Sequence, residues 1–190
     1  TSFQTRLPWS VSSNLATYSP DMRDTKFHFA DINGDGYTDL VRIKARVMEV
    51  FLHKNGQLSH EATMEFAAAD NIAESSFTNG AAQFIDLNLD GRSDIITTVS
   101  EPGSDTYLKI CRNMSRTFTN RGFVPHFSCA SYMMPYKTQN DIIFANRDHR
   151  LMDINGDRLP DYLLLQGETI CIYENQGNIR GGDQNGLMFG

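Results

Sequence analysis

The nine residues 31–39 decide the fold of this chain, because their pattern occurs three times. The first copy reads Asp31-Ile32-Asn33-Gly34-Asp35-Gly36-Tyr37-Thr38-Asp39. The second copy runs from Asp86 to Asp94 and the third from Asp153 to Asp161. All three fit D-x-N-x-D-x-x-x-D between short apolar runs, and their first residues are 55 and 67 positions apart. That spacing favours a repeated strand–loop–strand unit over a helical array.

The repeated loop carries the oxygen atoms that a hard cation requires. We number its residues as loop positions 1 to 9, so that oxygen side chains occupy positions 1, 3, 5 and 9. Calcium takes six to eight oxygen ligands, and a backbone carbonyl at position 7 adds one more. Closely spaced carboxylates repel one another, and a bound cation offsets that repulsion. The predicted ligands are Asp31, Asn33, Asp35, Asp39 and the Tyr37 carbonyl; Asp86, Asn88, Asp90, Asp94 and the Arg92 carbonyl; and Asp153, Asn155, Asp157, Asp161 and the Leu159 carbonyl.

The EF-hand is the nearest alternative, and it does not fit. An EF-hand needs a bidentate Glu at loop position 12 and helices on both sides. Position 12 is Arg42, Thr97 or Leu164 here, and the flanking runs are rich in the β-branched and aromatic residues of strands.

In its loops and flanking strands, roughly half of its length, the chain resembles the FG-GAP/VCBS repeats, the blade repeats of integrin α-subunit-type β-propellers. The resemblance implies an all-β fold of about three four-stranded antiparallel blades, each with a calcium loop. Calcium is the implied cofactor. Extracellular adhesion, through a protein or a glycan ligand, is the implied function.

The third loop is predicted to be the weakest calcium site. Arg158 occupies position 6, where the other loops have Gly36 and Gly91. That position favours a positive φ, which a non-glycine residue adopts at a cost. Pro160 also removes a backbone donor directly before Asp161.

The apolar runs predict the strands of each unit. We assign residues 1–176 to the repeats, and 177–190 to a Gly- and Asn-rich tail whose composition suits disorder. Segments 70–80 and 130–149 are predicted to be connections, and residues 1–20 are expected to contain one strand, with Trp9 packed in the core. Predicted strands are 26–30, 40–43, 47–53 and 62–66 in the first unit; 82–85, 94–99, 106–111 and 122–127 in the second; and 150–152, 162–165 and 169–173 in the third.

Three blades do not close a ring, because propellers typically have four to eight. An open arc exposes blade faces and strand edges. We therefore favour part of a larger propeller, completed by the rest of a longer chain or by another subunit. A self-contained three-repeat module is the alternative. The chain begins with Thr1 and not Met, so we expect a processed or excised chain.

Composition limits the partners and the compartment. The formal net charge of −6 and a pI near 5.3 argue against nucleic acid. No run approaches the 18 apolar residues of a membrane span. The three cysteines allow a Cys111–Cys129 disulfide with a free Cys171, or three buried small hydrophobes. Asn113-Met114-Ser115 matches the N-glycosylation pattern. Weak calcium loops suit millimolar calcium, which indicates an extracellular or secreted protein.

No catalytic constellation is evident in the sequence. The nearest is Cys129 with His126 or His149, a conceivable nucleophile–base pair. His28 and His53 lie on strand patterns and are expected to be half-buried, and the run 132–136 could form a contact surface. Two functions remain: a calcium-stabilised scaffold that binds a protein or a glycan, or the propeller part of a secreted polysaccharide-degrading or phospholipase-type enzyme. The second would place catalysis outside this chain, because a fold does not fix a function.

Overall fold

The regular structure of the chain is almost entirely β-sheet. A computed structural model describes residues 10–11, 25–99, 107–133 and 149–177. The expected packing of Trp9 and the expected disordered tail lie outside these residues, apart from Gly177. The predicted all-β class, with blade-like antiparallel sheets, is confirmed.

The first blade is a four-stranded antiparallel meander with a short extra strand at its edge. It consists of β2 (Phe27–Ala30), β3 (Asp39–Lys44), β4 (Val47–Lys54) and β5 (Gln57–Glu65), while β1 (Ser10–Val11) pairs in parallel with β5. Asn55 and Gly56 form the turn between β4 and β5, with φ values of 52° and 77°. Two successive positive φ values are typical of the tight hairpin that an Asn-Gly pair favours.

A short helical insert follows the first blade, where the sequence predicted only a loop at 70–80. It contains a 3-10 turn (Ala68–Asp70) and the helix α1 (Glu74–Thr78). The single apolar side chain of α1, Phe77, is buried and stacks on Phe84 with ring centroids 5.0 Å apart. An insert this short offers too few turns for a helical periodicity to be visible in the sequence.

The second blade has the predicted number of strands but a different fourth strand. Its members are β6 (Ala82–Ile85), β7 (Asp94–Val99), β8 (Tyr107–Asn113) and β11 (Phe127–Met133). The predicted strand 122–127 is wrong: its first half belongs to a separate hairpin of β9 (Arg116–Phe118) and β10 (Gly122–Val124). Pro125 separates β10 from β11 because it has no N–H to donate to a strand partner.

The third blade has three strands in the part of the chain described here, and they are the three predicted from its sequence. They are β12 (His149–Met152), β13 (Asp161–Gln166) and β14 (Thr169–Tyr173), all antiparallel. Their bounds agree with the predicted strands to within one residue.

A disulfide joins Cys111 and Cys129, which lie directly opposite each other on β8 and β11. Cys171 is not part of this disulfide and is half-buried. The predicted disulfide is therefore confirmed, and the alternative of three reduced core cysteines is wrong. Because Cys129 is oxidised, it has no thiolate, and it cannot act as the nucleophile considered above.

The three blades pack face to face in sequence order. One buried cluster combines the first blade with the second and includes Val41, Val50, Ile95 and Cys111. A second cluster combines the second blade with the third and includes Ile110 and other buried residues, namely Leu87, Ile96, Leu108, Tyr162, Leu164 and Tyr173. The two middle strands of the second blade, β7 and β8, therefore bury apolar side chains on both faces, as a blade between two neighbours requires.

Hydrogen bonds repeat at both joints between blades. The Asn113 side-chain amide, in the second blade, donates to the carbonyl of Ile32 in the loop of the first blade, at 3.0 Å. The Asn175 amide likewise donates to the carbonyl of Leu87, at 3.0 Å. Ile32 and Leu87 both occupy loop position 2. The same asparagine contact therefore joins the second blade to the loop of the first blade, and the third blade to the loop of the second. We call this contact the asparagine clamp.

The first joint carries two further contacts between loops. Ser93 N–H donates to the carbonyl of Asp31, at 2.7 Å. Pro160 occupies the same loop position in the third blade and has no N–H, so the second joint cannot form this bond. Gly34 also lies against Arg92: a Cβ at Gly34 would be 2.9 Å from the Arg92 Cγ. A side chain at Gly34 would require Arg92 or the loop backbone to shift.

Loss of the clamp should destabilise the fold. Asn113 is fully buried, and besides Ile32 its amide donates to the carbonyl of Ser93. Asn113→Ala leaves buried carbonyls without donors, so we expect a loss of about 2–4 kcal/mol in the free energy of unfolding. Denaturant unfolding measures it. Asn120→Ala, at an exposed turn position, is the control and should change stability by less than about 0.5 kcal/mol. Equal effects of the two substitutions would contradict the role of the clamp.

Candidate metal centres

Each predicted metal loop joins the first two strands of its blade. The loops lie between β2 and β3, between β6 and β7, and between β12 and β13. Position 9 of every loop is the first residue of the second strand: Asp39, Asp94 and Asp161. The antiparallel pairing of the flanking strands therefore holds position 9 close to the start of its loop.

The polar side chains of each loop bind the backbone N–H groups of the same loop. In the first loop the two Asp31 oxygens accept N–H bonds from Gly34 and Gly36, at 2.7 and 2.8 Å. The Asn33 oxygen accepts the Asp35 N–H, and an Asp35 oxygen accepts the Tyr37 N–H. These bonds fold the chain around its own carboxylates in the manner of successive Asx turns.

The same bonds recur in the other two loops. The oxygen of Asn88 accepts the N–H of Asp90, at 3.0 Å, and that of Asn155 accepts the N–H of Asp157, at 2.9 Å. The position 3 amide also donates to the position 5 carboxylate in all three loops. The three loops therefore share these bonds as well as one sequence pattern. The position 1 carboxylate differs in the second loop, where Asp86 accepts the N–H groups of positions 3, 5 and 6, whereas Asp31 and Asp153 accept those of positions 4 and 6.

The aspartate at position 9 differs from the other loop carboxylates, because it is completely buried in all three loops. One oxygen of Asp39 accepts the N–H of Ile32 and the other accepts the N–H of His53 on β4, both at 2.9 Å. Asp94 accepts N–H bonds from Leu87 and Asn113 in the same way. Asp161 accepts N–H bonds from Ile154 and Asn175. Position 9 thus ties the start of each loop to the third strand of its blade, or to the residues just after it.

Burial makes two of these carboxylates, Asp39 and Asp94, costly to ionise. Desolvation raises the pKa of Asp39 to about 6, against the lowering effect of its two backbone hydrogen bonds, and Asp35 and Asp31 raise it further. Desolvation raises the pKa of Asp94 to about 7, with smaller contributions from Asp90 and Asp86. A cation beside either loop would favour the ionised form.

The donor set has the chemistry of a calcium site. Every loop offers three carboxylates and one amide oxygen, all hard ligands, and each carboxylate oxygen that accepts one N–H bond keeps further lone-pair capacity. Within the described ranges, however, no three side chains of the types His, Cys, Asp or Glu converge closely enough to hold an ion. The amide and carbonyl ligands of the prediction are of other types. The ligand prediction therefore stays a prediction.

The loops differ at positions 6 and 7. Arg158 has φ of 76°, close to the 82° of Gly36 and the 83° of Gly91, so the arginine does adopt the left-handed conformation. In the second loop, Arg92 forms an ion pair with Asp90 at 2.8 Å. A guanidinium on a predicted ligand competes with a cation for that carboxylate. The sequence analysis did not anticipate this pair.

The sequence analysis also did not predict a buried polar pair near the third loop. The ring nitrogen Nδ1 of His149 lies 2.5 Å from the hydroxyl oxygen of Tyr162, and both residues are buried. Burial raises the pKa of Tyr162. His149 thus packs inside the third blade, while His126 is exposed.

Asn113 is buried and bonded through its amide, so its glycosylation sequon is inaccessible in the folded chain.

Comparison with known proteins finds a family match for part of the chain. Residues 31–97, which span the first two loops, match the family model of the FG-GAP-like repeat. No curated protein and no solved structure gives a significant match. No helix among the described residues is long and apolar enough to cross a membrane.

Position 9 should matter for folding even without metal. Asp39→Ala leaves the N–H groups of Ile32 and His53 without their acceptor, and Asp39 is completely buried. We expect a loss of about 2–4 kcal/mol in the free energy of unfolding, measured by urea denaturation in excess chelator. Asp35→Ala in the same loop is the matched control. Asp35 is exposed, so water can replace its bonds and the loss should stay below about 1 kcal/mol. A larger loss from Asp35→Ala than from Asp39→Ala would contradict this assignment.

Proposed function

Because residues 31–97 match the family model of the FG-GAP-like repeat, we propose that the chain is a calcium-stabilised, β-propeller-type scaffold for extracellular recognition of a protein or a glycan. The observation that carries the proposal is the threefold repetition of one loop pattern around the same oxygen donors. The scaffold is an open row of blades, and further polypeptide completes it.

In this proposal calcium is held by the predicted loop ligands and has a structural role. The ion would neutralise the carboxylates at positions 1, 5 and 9, which the backbone N–H bonds already orient. The proposed ligands at positions 1, 3, 5 and 7 lie in a turn between paired strands, and position 9 begins the second of those strands. A catalytic cation needs an open coordination position beside an acid or a base, and the exposed His126 is not part of any loop.

Exposed aromatic side chains near the first loop support a recognition surface. Tyr37 is 61% exposed and its ring meets His53 edge to face, at 5.4 Å between centroids. Phe29, on the neighbouring strand, is 45% exposed. Aromatic faces next to polar groups suit contacts with proteins and with the apolar faces of sugars.

Calcium removal should lower the thermal stability of the chain. A site with a Kd of about 10⁻⁴ M in roughly 1 mM calcium contributes about 1.4 kcal/mol, so that three sites contribute about 4 kcal/mol. We therefore expect chelator to lower the melting temperature by roughly 10 °C or more, measured by circular dichroism. Magnesium at the same concentration is the ionic control and should not restore the melting temperature fully. A melting curve that is indifferent to chelator would rule out the structural role.

The third loop should bind calcium most weakly. Three double variants isolate the loops, each removing position 5 from two of them: Asp90→Ala with Asp157→Ala, Asp35→Ala with Asp157→Ala, and Asp35→Ala with Asp90→Ala. By calorimetry, the variant that keeps only the third loop should bind several-fold more weakly than the others, because Arg158 is strained at its positive φ. Adding Arg158→Gly should recover most of the difference. Equal affinities would show that Arg158 has no cost for binding.

A further inference from the structure

A half-buried histidine lies at the joint between the first two blades. His28 is on β2, opposite Val41 on β3. The centroid of its ring is 4.8 Å from that of Phe77 on α1 and 6.0 Å from that of Phe84 on β6. The two phenylalanine rings also stack on each other. His28, Phe77 and Phe84 therefore join the first blade, the helical insert and the second blade, and we call them the aromatic triad.

One nitrogen of the His28 ring is buried among apolar groups. No group in the described part of the chain forms a hydrogen bond with its buried Nε2 atom. Protonation makes both nitrogens of an imidazole donors, so Nε2 would become a charged, buried donor without an acceptor. The faces of phenylalanine rings attract cations, but they do not replace the lost hydration. Desolvation accordingly lowers the pKa of His28 from its ordinary value of 6.5.

The charged groups on the elements around His28 have other partners. Lys26, which precedes β2, is itself positive and pairs with Glu74 of α1 at 3.8 Å. Glu74 also accepts the N–H of Ala45. The carboxylate of Asp39 on β3 accepts two backbone N–H groups, and β6 has no ionisable side chain. None of these groups is arranged to neutralise a positive charge on His28.

The aromatic triad is the apolar attachment of α1. The helix has five residues, which is too few for a helix to be stable by itself. Phe77 is its one buried side chain, and the rings of His28 and Phe84 lie against it. Glu74 adds a polar attachment, because it exchanges two hydrogen bonds with Ala45 in the turn between β3 and β4. A change in the charge of His28 therefore acts directly on the contact that buries Phe77.

We propose that the aromatic triad is an acid-sensitive contact: protonation of His28 loosens α1 from the joint, while the sheets of both blades stay folded. The proposal goes beyond recognition by the scaffold and requires neither calcium nor a ligand. Loosening would expose Phe77 and Phe84 at the joint between the first two blades.

Proton linkage gives the direction of the effect. Because burial lowers the pKa of His28, the closed joint binds fewer protons than an open joint in which His28 meets water. The closed joint is therefore fully favoured above pH 6.5, the ordinary value, and loses stability as the pH falls through the lowered pKa. A single titrating group changes the opening equilibrium by about tenfold per pH unit at most.

Amide hydrogen exchange, followed by NMR on the whole 190-residue chain in excess chelator, tests the proposal. Dividing each rate by its intrinsic value at that pH gives the opening equilibrium. The amides of Glu74 and Gly80, which donate to the carbonyls of Ala45 and Phe77, report on α1. Protected amides of β3 and β7 report on the two sheets.

We expect the protection of the α1 amides to fall about tenfold between pH 7 and pH 5, and less than about twofold in His28→Phe. This variant keeps an aromatic ring and every other titrating group. Protection in β3 and β7 should not change, and the His28 ring signals should titrate below pH 6.5. His60→Gln, at an exposed position on β5, is the matched control and should respond as the unsubstituted chain does.

Three results would overturn the proposal. The first is an equal fall in the unsubstituted chain and in both His28→Phe and His28→Leu, since another group would then be responsible; the leucine variant covers a poor fit of the larger ring. The second is a His28 ring that titrates at or above pH 6.5. The third is loss of protection in β3 and β7 together with α1, which would be global unfolding. All three are measured without calcium, so failure of the calcium proposal remains distinguishable.

Discussion

The structure depends on one buried carboxylate in each blade, the aspartate at loop position 9. It binds the N–H of loop position 2 and an N–H on or just after the third strand of the blade, so the loop and the sheet cannot move independently. In the second and third blades the residue that supplies the second N–H is also the clamp asparagine. Loop geometry, blade geometry and the joint between blades therefore share one set of bonds.

This arrangement explains why a loop rich in carboxylates is compatible with a stable fold. Most of the loop carboxylates satisfy backbone N–H groups that would otherwise lack partners in a tight turn. The remaining cost is electrostatic: desolvation and neighbouring aspartates raise the pKa of Asp39 and of Asp94. A calcium ion would reduce that cost without changing the hydrogen bonds, which is the role that we propose for it.

The sequence predicted the features that depend on local chemistry. The repeated aspartates placed the loops and the flanking strands, and the Asn55-Gly56 pair placed a hairpin. The fourth strand of the second blade was misplaced because Phe123 gave an apolar signal to a hairpin that Pro125 separates from the true strand. The clamp was not predicted, since Asn113 and Asn175 lie 81 and 88 residues from the carbonyls that they bind. The Asn113-Met114-Ser115 triplet drew attention to a sequon and not to a structural amide.

The central claim is that the three loops are calcium sites, and the stoichiometry of binding tests it most directly. We would titrate the metal-free chain with calcium in a calorimeter at low ionic strength and fit the number of ions bound per chain. The account predicts three ions, two with similar affinity and one bound more weakly. No detectable binding up to about 10 mM calcium, well above the range of extracellular calcium modules, would contradict it.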